Sequence, residues 1–139
     1  MTVYAETSAV LRWIFAEEGG EEIRARLGAA SKVTTSRLTL IETRRVVQRA
    51  EREGRVTAAH AADLRAIFAQ AASTWAILEI SDEVARRAEE GFPLEPVRTL
   101  DAIHLASALF LRQALPDLAI VSADDRLLAN ARALGFDAR

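Results

Sequence analysis

The chain has 139 residues, 50% of them hydrophobic, and a net charge of −2, so we expect one compact domain (1–139) rather than a strongly basic protein that coats nucleic acid. The absence of cysteine excludes disulfides and thiolate zinc sites and suits a reducing cytoplasm. No apolar run reaches the roughly 20 residues that cross a bilayer, and the N-terminus lacks signal-peptide features, which predicts a cytoplasmic protein without membrane contact.

Short β-type runs alternate with helical patterns along the chain. Several helical patterns follow capping residues, among them Ser36, Thr57 and Ser81. Helices between short apolar strands indicate a parallel sheet covered on both faces, so we predict an α/β fold with four to five strands. The predicted strands are 2–5, 32–35, 74–80, 116–122 and, as a short last one, 136–138. The predicted helices are 9–18, 21–30, 37–53, 58–72, 82–90, 98–111 and 123–134.

Four acidic residues from distant segments belong at one edge of this sheet. Glu6 follows the first strand and Asp124 follows the strand at 116–122, and open parallel sheets bind ligands at the carboxyl ends of their strands. Asp101 lies in the first turn of the helix before that strand, and Glu42 lies in the second turn of the third helix. Because clustered carboxylates repel one another and lose hydration, a hard divalent cation would stabilise them. With no cysteine and at most one histidine nearby, the cluster predicts Mg²⁺ or Mn²⁺ rather than zinc.

Each acid also has a simpler interpretation. Asp101 suits a helix start, and Glu42 suits an i, i+3 ion pair with Arg45. Glu6 and Asp124 suit helix caps or turns. The prediction of a metal site therefore depends on all four acids meeting in one place.

Four stretches of the chain resemble, in this order, the PIN-domain ribonucleases, and specifically the VapC-type toxins of bacterial toxin–antitoxin pairs. They read VYAETSAVLRWI, TTSRLTLIETRRVVQR, RTLDAIHLASAL and LAIVSADDRLLANARALGF. The resemblance covers nearly the whole chain and implies a three-layer α/β/α domain. It also matches Ser8 and Ser122 to small hydroxyl residues that orient the acids. The residues at the family's four catalytic positions are Glu6, Glu42, Asp101 and Asp124.

One departure from the family pattern concerns the first acid, which is usually Asp and here is Glu6. The extra methylene moves the carboxylate by about 1.5 Å. Since Mg²⁺ demands near-ideal octahedral geometry, we expect a weaker site or a preference for Mn²⁺, in an enzyme that is still active.

The resemblance implies metal-dependent hydrolysis of RNA to products with a 5′-phosphate and a 3′-hydroxyl. Glu6 and Asp101 are then the primary metal ligands, and Asp124 holds a second ion or an ordered water. A bound cation lowers the pKa of water. Glu42 is expected to position the attacking water or to accept its proton.

Three further residues, Ser8, Arg45 and Arg49, are predicted to bind the substrate. At ~100° per residue, Glu42, Arg45 and Arg49 share one helix face, from which the arginines can guide RNA phosphate to the metal. The alternative is that both arginines are solvated and paired to acids. We interpret His104, in the helix of the third acid, as a structural residue or hydrogen-bond partner rather than a metal ligand.

The resemblance also implies two protein partners: a second copy of the chain in a homodimer, and a cognate antitoxin that covers the acidic pocket.

Three alternatives to a metal-dependent ribonuclease remain open. The first is a catalytically weak or inactive PIN module that binds RNA or protein, for which Glu6 is the best argument. The second is a metal-independent nuclease that uses the 2′-hydroxyl of RNA and two histidines, here His60 and His104. The third is a Mg²⁺-dependent phosphatase, which needs a DxD-like pattern that the ADD stretch does not supply.

Overall fold

The fold is described by a computed structural model that covers all residues from Met1 to Arg139. Its strands are β1 (Thr2–Ala5), β2 (Lys32–Ser36), β3 (Ala76–Leu78) and β4 (Ala119–Val121). Its helices are α1 (Thr7–Ile14), α2 (Gly20–Ala29), α3 (Arg37–Arg52), α4 (Ala58–Ala72), α5 (Asp82–Glu89), α6 (Thr99–Arg112) and α7 (Asp125–Ala133). The strands form one parallel sheet in the order β3-β2-β1-β4, which confirms the predicted α/β class.

Two cores cover the two faces of the sheet. Successive side chains of a strand point to opposite faces, and β1 divides its residues in this way. Val3 and Ala5 face a core that α1 to α4 complete and that includes the buried side chain of Phe68. Tyr4 faces the second core, formed with α6 and α7 around Leu105. The domain therefore has the three α/β/α layers that the sequence predicts.

The first helix differs from its prediction. It covers residues 7–14 rather than 9–18. Ala16 has a positive φ of 53°, which ends the helical path. The next helix, α2, begins at Gly20. This residue lies so close to α1 that a Cβ atom on it would be 2.6 Å from the carbonyl oxygen of Arg12. The chain thus turns at Ala16, before the Gly-Gly pair and earlier than the hydrophobic pattern indicates.

The strands β3 and β4 are shorter than predicted, because only three residues of each pair with a neighbouring strand. The predicted strand at 136–138 is reduced to a single bridge between Ala138 and Ile120. No helix has both the length and the hydropathy that a membrane span requires. The carboxyl ends of β1, β2 and β4 lie at one edge of the sheet, from which α1, α3 and α7 start.

Candidate active site

Glu6 is a buried acid, 5% exposed, at the junction of β1 and α1. Its backbone N–H donates to the carbonyl of Val121 at 3.0 Å, which places it beside the end of β4. Its Oε2 atom accepts hydrogen bonds from the Ser8 backbone N–H at 3.1 Å, from the Ser8 hydroxyl and from the Ser122 hydroxyl at 2.8 Å. One oxygen of this carboxylate is therefore fully used by the protein, while Oε1 lies 3.8 Å from Nε2 of His104.

Two serine hydroxyls join the ends of β1 and β4 around this carboxylate. Ser8 Oγ accepts from the backbone N–H of Ala123 at 2.9 Å, and Ser122 Oγ accepts from that of Asp124 at 3.0 Å. The two hydroxyl oxygens are 3.1 Å apart. The structure thus places Ser8, which was predicted to contact the substrate, as a hydrogen-bond partner of Glu6. The same network fixes the long Glu6 side chain in one orientation.

Glu42 joins α3 to α1 and α6. Its Oε1 atom accepts a hydrogen bond from the Thr7 hydroxyl at 2.7 Å and lies 2.7 Å from Nε2 of His104. Burial opposes ionisation of this carboxyl, but the hydrogen bonds from His104 and Thr7 outweigh it, so the pKa of Glu42 is lowered from its usual value. Because an ionised carboxylate only accepts hydrogen bonds, the Nε2–H group of His104 is the donor in its hydrogen bond with Glu42.

His104 is 1% exposed and lies between Glu42 and Tyr4. Its Nδ1 atom is 2.8 Å from the Tyr4 hydroxyl. Burial, together with the nearby negative charge of Glu6, raises the pKa of Tyr4 well above its usual value, so the phenol keeps its proton. The predicted interpretation of His104 as a hydrogen-bond partner agrees with this position. The chain from Tyr4 through His104 holds the Glu42 carboxylate in place.

Asp101 and Asp124 share one arginine. Arg98 Nε donates to Oδ2 of Asp101 at 3.2 Å, and its terminal NH2 nitrogen lies 3.5 Å from Oδ2 of Asp124. Oδ1 of Asp124 accepts from the backbone N–H groups of Arg126 and Leu127, at 2.9 and 3.2 Å, and so caps α7. The Arg98 side chain is 73% exposed and therefore screened by water. A carboxylate of α6 and the carboxylate that caps α7 thus attract one exposed cation.

The four acids lie at one sheet edge as two pairs. Glu6 and Glu42 both face His104, whereas Asp101 and Asp124 both face Arg98. With the side chains in these conformations, no three acidic or histidine residues are arranged to hold a metal ion. The predicted joint ligand set of Glu6, Asp101 and Asp124 is therefore not assembled here.

Three of the four acids also fit the simpler interpretations that their sequence positions suggest. Glu6 and Asp124 are helix caps, and Asp101 pairs with Arg98 at its helix start. Glu42 pairs with His104 and Thr7, not with Arg45.

The chemistry of the donors nevertheless fits a hard divalent cation. All four acids offer carboxylate oxygens, which Mg²⁺ and Mn²⁺ prefer, and no thiol is present. Arg98 places positive charge between Asp101 and Asp124, so this position already attracts a cation. Because that arginine is exposed, its displacement by an ion breaks only weak, screened contacts.

Sequence reasoning missed Arg98, Thr7 and Tyr4. The spacing carried a signal for Arg98, which precedes Asp101 by three residues and so shares its helix face. No local pattern places Tyr4 beside His104, because 100 residues separate them. Arg45 and Arg49 are exposed on α3, outside the hydrogen-bonded network.

The two-histidine alternative is not supported by the geometry. His104 is buried against Tyr4 and Glu42, whereas His60 is exposed at the start of α4. A histidine pair that acts as acid and base on one phosphate needs both rings at one site.

The chain is similar to known proteins over almost its full length. The PIN domain family matches residues 3–134. Ribonuclease VapC47 of Mycobacterium tuberculosis (strain CDC 1551 / Oshkosh) is 32% identical over 138 residues, which are 96% of this chain and 93% of that protein.

Solved structures share the fold. A toxin–antitoxin complex from Klebsiella pneumoniae matches with a TM-score of 0.63 at 19% identity, over 100% of this chain and 96% of that one. Mycobacterium tuberculosis VapC20, described as a sarcin-ricin loop cleaving toxin, matches with a TM-score of 0.66 at 16% identity, over 96% and 95%. The chain therefore belongs to the PIN-domain family, and within it to the VapC-type ribonucleases.

Proposed function

We propose that this ribonuclease hydrolyses RNA phosphodiester bonds at the sheet edge that carries Glu6, Glu42, Asp101 and Asp124, with Mg²⁺ or Mn²⁺ as its cofactor. The observation that carries the proposal is the position of the Arg98 guanidinium, which pairs with Asp101 of α6 and with Asp124, the N-cap of α7. Two carboxylates that attract an arginine should attract a smaller cation of higher charge more strongly, because Coulomb attraction grows with charge and falls with distance.

The residues that would hold the cation are Asp101 and Asp124, with the Oε1 atom of Glu6 as a further oxygen donor. When bound, a divalent ion lowers the pKa of water and offsets negative charge on a phosphate. Ser8 and Ser122 hold Glu6 through Oε2, so that Oε1 keeps its lone pairs for this role.

Glu42 has the general-base role. It is ionised, and the contacts with Thr7 and His104 engage its Oε1 atom only. Its second oxygen can therefore orient a water molecule and accept its proton. Arg45 and Arg49, exposed on the same helix, supply positive charge that draws the RNA backbone toward Glu42.

A cleavage assay tests this function. A labelled single-stranded RNA is incubated with the wild type and with Asp101→Asn, each with Mn²⁺, with Mg²⁺ or with EDTA. We expect cleavage by the wild type only when metal is present, to 5′-phosphate products, and a loss of at least about 100-fold in Asp101→Asn. Asp125→Asn is the matched control, because that neighbouring acid is exposed at the start of α7. Cleavage in EDTA, or equal activity of the Asp101 variant, contradicts the proposal.

A second candidate, a PIN module that binds RNA without cleaving it, is favoured by one observation. With the side chains in these conformations, no three acids are arranged to hold a metal ion. Saturable RNA binding by the wild type, with no products at any Mn²⁺ concentration, would support this second function.

The proposed partners are RNA, a cognate antitoxin and a second copy of the chain. A small antitoxin that inserts a basic side chain beside Asp101 and Asp124 would replace Arg98 as their counter-ion. Light scattering tests self-association, because a homodimer has twice the chain mass of 15.2 kDa. Addition of the antitoxin should stop RNA cleavage at equimolar ratio.

A further inference from the structure

A cavity of about 310 Å³ opens beside Asp101 and Arg98. It lies between α6, α7 and the segment 94–98 that precedes α6, and we refer to it as the α6–α7 cavity. Asp101 and Arg98 line the cavity and also take part in the contacts with Asp124. The cavity and the acidic site therefore share a wall, and its volume is in the range of small-ligand pockets.

A buried side chain holds the segment 94–98, which forms one wall of the cavity. Asn130 of α7 is 4% exposed. Its Oδ1 atom accepts from the backbone N–H of Leu94 at 2.9 Å, and its Nδ2 atom donates to the carbonyl of Leu94 at 3.0 Å. A buried amide that satisfies both polar groups of one loop residue fixes that loop against the helix. The cavity is thus a formed feature of the fold.

The lining is apolar at its base and balanced in charge at its rim. Leu105 and Leu127 are buried below it, while Leu94 is 51% exposed. The charged residues of the lining are two arginines and two acids, so their formal charges cancel. They are Arg98, Arg126, Glu95 and Asp101. With an apolar base and balanced charges at its rim, such a lining suits a neutral, flat group with polar edges.

We propose that the α6–α7 cavity binds one nucleobase of the RNA, adjacent to the phosphate that lies at the acids. This inference rests on the proposed function. Proteins read single-stranded RNA by taking unstacked bases onto apolar surfaces or guanidinium planes and by hydrogen bonding to their edges. Arg126, exposed on the first turn of α7, offers such a plane, and Glu95 offers an acceptor for an amino group of a base. The cavity then gives the enzyme a base preference beside the cleaved bond.

Two pairs of variants test the proposal. Ala129 lines the cavity, so Ala129→Phe fills it, whereas Ala133→Phe adds the same bulk at an exposed position of the same helix outside the lining. Leu94→Ser removes an exposed apolar side chain from the cavity, with Leu100→Ser, also exposed and outside the lining, as its control. The Leu94 variant keeps the test decisive if Ala129→Phe fails to fold.

The readouts are binding and base preference. Binding uses single-stranded RNA hexamers with one 2-aminopurine each, in EDTA at low salt, where base unstacking raises the emission. Base preference uses cleavage in Mn²⁺ of hexamers that differ by one base beside the cut. We expect Ala129→Phe and Leu94→Ser to weaken binding by about ten-fold, the size of one lost base contact, and to lose the emission change. The two control variants should match the wild type.

The outcomes separate this proposal from the proposed function. If the wild type cleaves RNA in Mn²⁺ and the cavity variants keep its binding, KM and base preference, the cavity proposal is overturned and the function stands. If the wild type does not cleave, but binds 2-aminopurine RNA through the cavity, the function fails and the cavity proposal stands. Absence of 2-aminopurine binding by the wild type overturns the cavity proposal whether or not RNA is cut.

Discussion

Nε2 of His104 lies 2.7 Å from Oε1 of Glu42, across 62 positions of sequence, and so joins α6 to α3 at the candidate active site. The imidazole is itself held by Tyr4, whose hydroxyl is 2.8 Å from Nδ1. Since the ring contacts Glu42, the proposed general base, we expect His104 to act as a positioning residue. The orientation of Glu42 depends on it.

Replacement of His104 by Ala should therefore affect both stability and the chemical step. Tyr4 and Glu42 lose a buried partner, which we expect to lower the free energy of unfolding by about 2–4 kcal/mol. We expect kcat to fall by about 10- to 100-fold while KM for RNA stays unchanged, because the misplaced base acts on the reaction and not on binding. Steady-state kinetics below the melting temperature checks this, with the exposed His60→Ala as the control. A rise in KM at constant kcat would contradict the positioning role.

Ser122→Ala should loosen Glu6. It removes the 2.8 Å hydrogen bond to the carboxylate and the acceptor of the Asp124 backbone N–H. We expect a loss of about 1–3 kcal/mol in the free energy of unfolding and a weaker Mn²⁺ affinity by about ten-fold. Urea titration and isothermal calorimetry measure the two quantities. Ser31→Ala, an exposed serine away from the acids, should change neither. Unchanged Mn²⁺ affinity in Ser122→Ala would show that the hydrogen bond from Ser122 does not position Glu6 for the metal ion.

The sequence predicts a parallel sheet without its strand order, and it predicts which acids lie at the carboxyl edge of that sheet. Acids directly after parallel strands must lie at the carboxyl edge, which is why Glu6 and Asp124 are near one another. The contacts of Glu42 could not be predicted, since they depend on the packing of α3 against α1 and α6. Likewise, α1 ends where the chain turns at Ala16 with a positive φ, and hydrophobic periodicity does not record such a turn.

Arg98→Ala should strengthen the binding of Mn²⁺. The guanidinium competes with an ion for Asp101 and Asp124, and a unit charge about 4 Å away in water contributes roughly 1 kcal/mol. We expect an affinity about three- to five-fold higher, measured by the loss of the free Mn²⁺ signal in electron paramagnetic resonance. The control is Arg132→Ala. Arg132 lies near the end of α7, where its Nε atom donates a hydrogen bond to the carbonyl of Ala138. Weaker Mn²⁺ binding by Arg98→Ala would mean that the arginine supports the metal site.

The lowered pKa of Glu42 predicts a stability contribution that depends on pH. Its pKa in the folded protein is below the reference value of 4.5. The contribution is therefore fully present above the unfolded pKa and is lost as pH falls through the folded pKa. Urea unfolding of the wild type and Glu42→Gln from about pH 7 to about pH 3 should show a wild-type advantage that shrinks at the acidic end. An advantage that stays constant over this range would contradict the assignment.

The measurement that tests the central claim most directly is Mn²⁺ binding to four single variants, Glu6→Gln, Asp101→Asn, Asp124→Asn and Asp125→Asn. Electron paramagnetic resonance gives affinity and stoichiometry without any dependence on RNA cleavage. If acids from distant segments hold one ion, each of the first three changes weakens binding by at least about ten-fold, and Asp125→Asn leaves it unchanged. Wild-type Mn²⁺ affinity in Asp101→Asn and Asp124→Asn would contradict a shared metal site at this edge of the sheet.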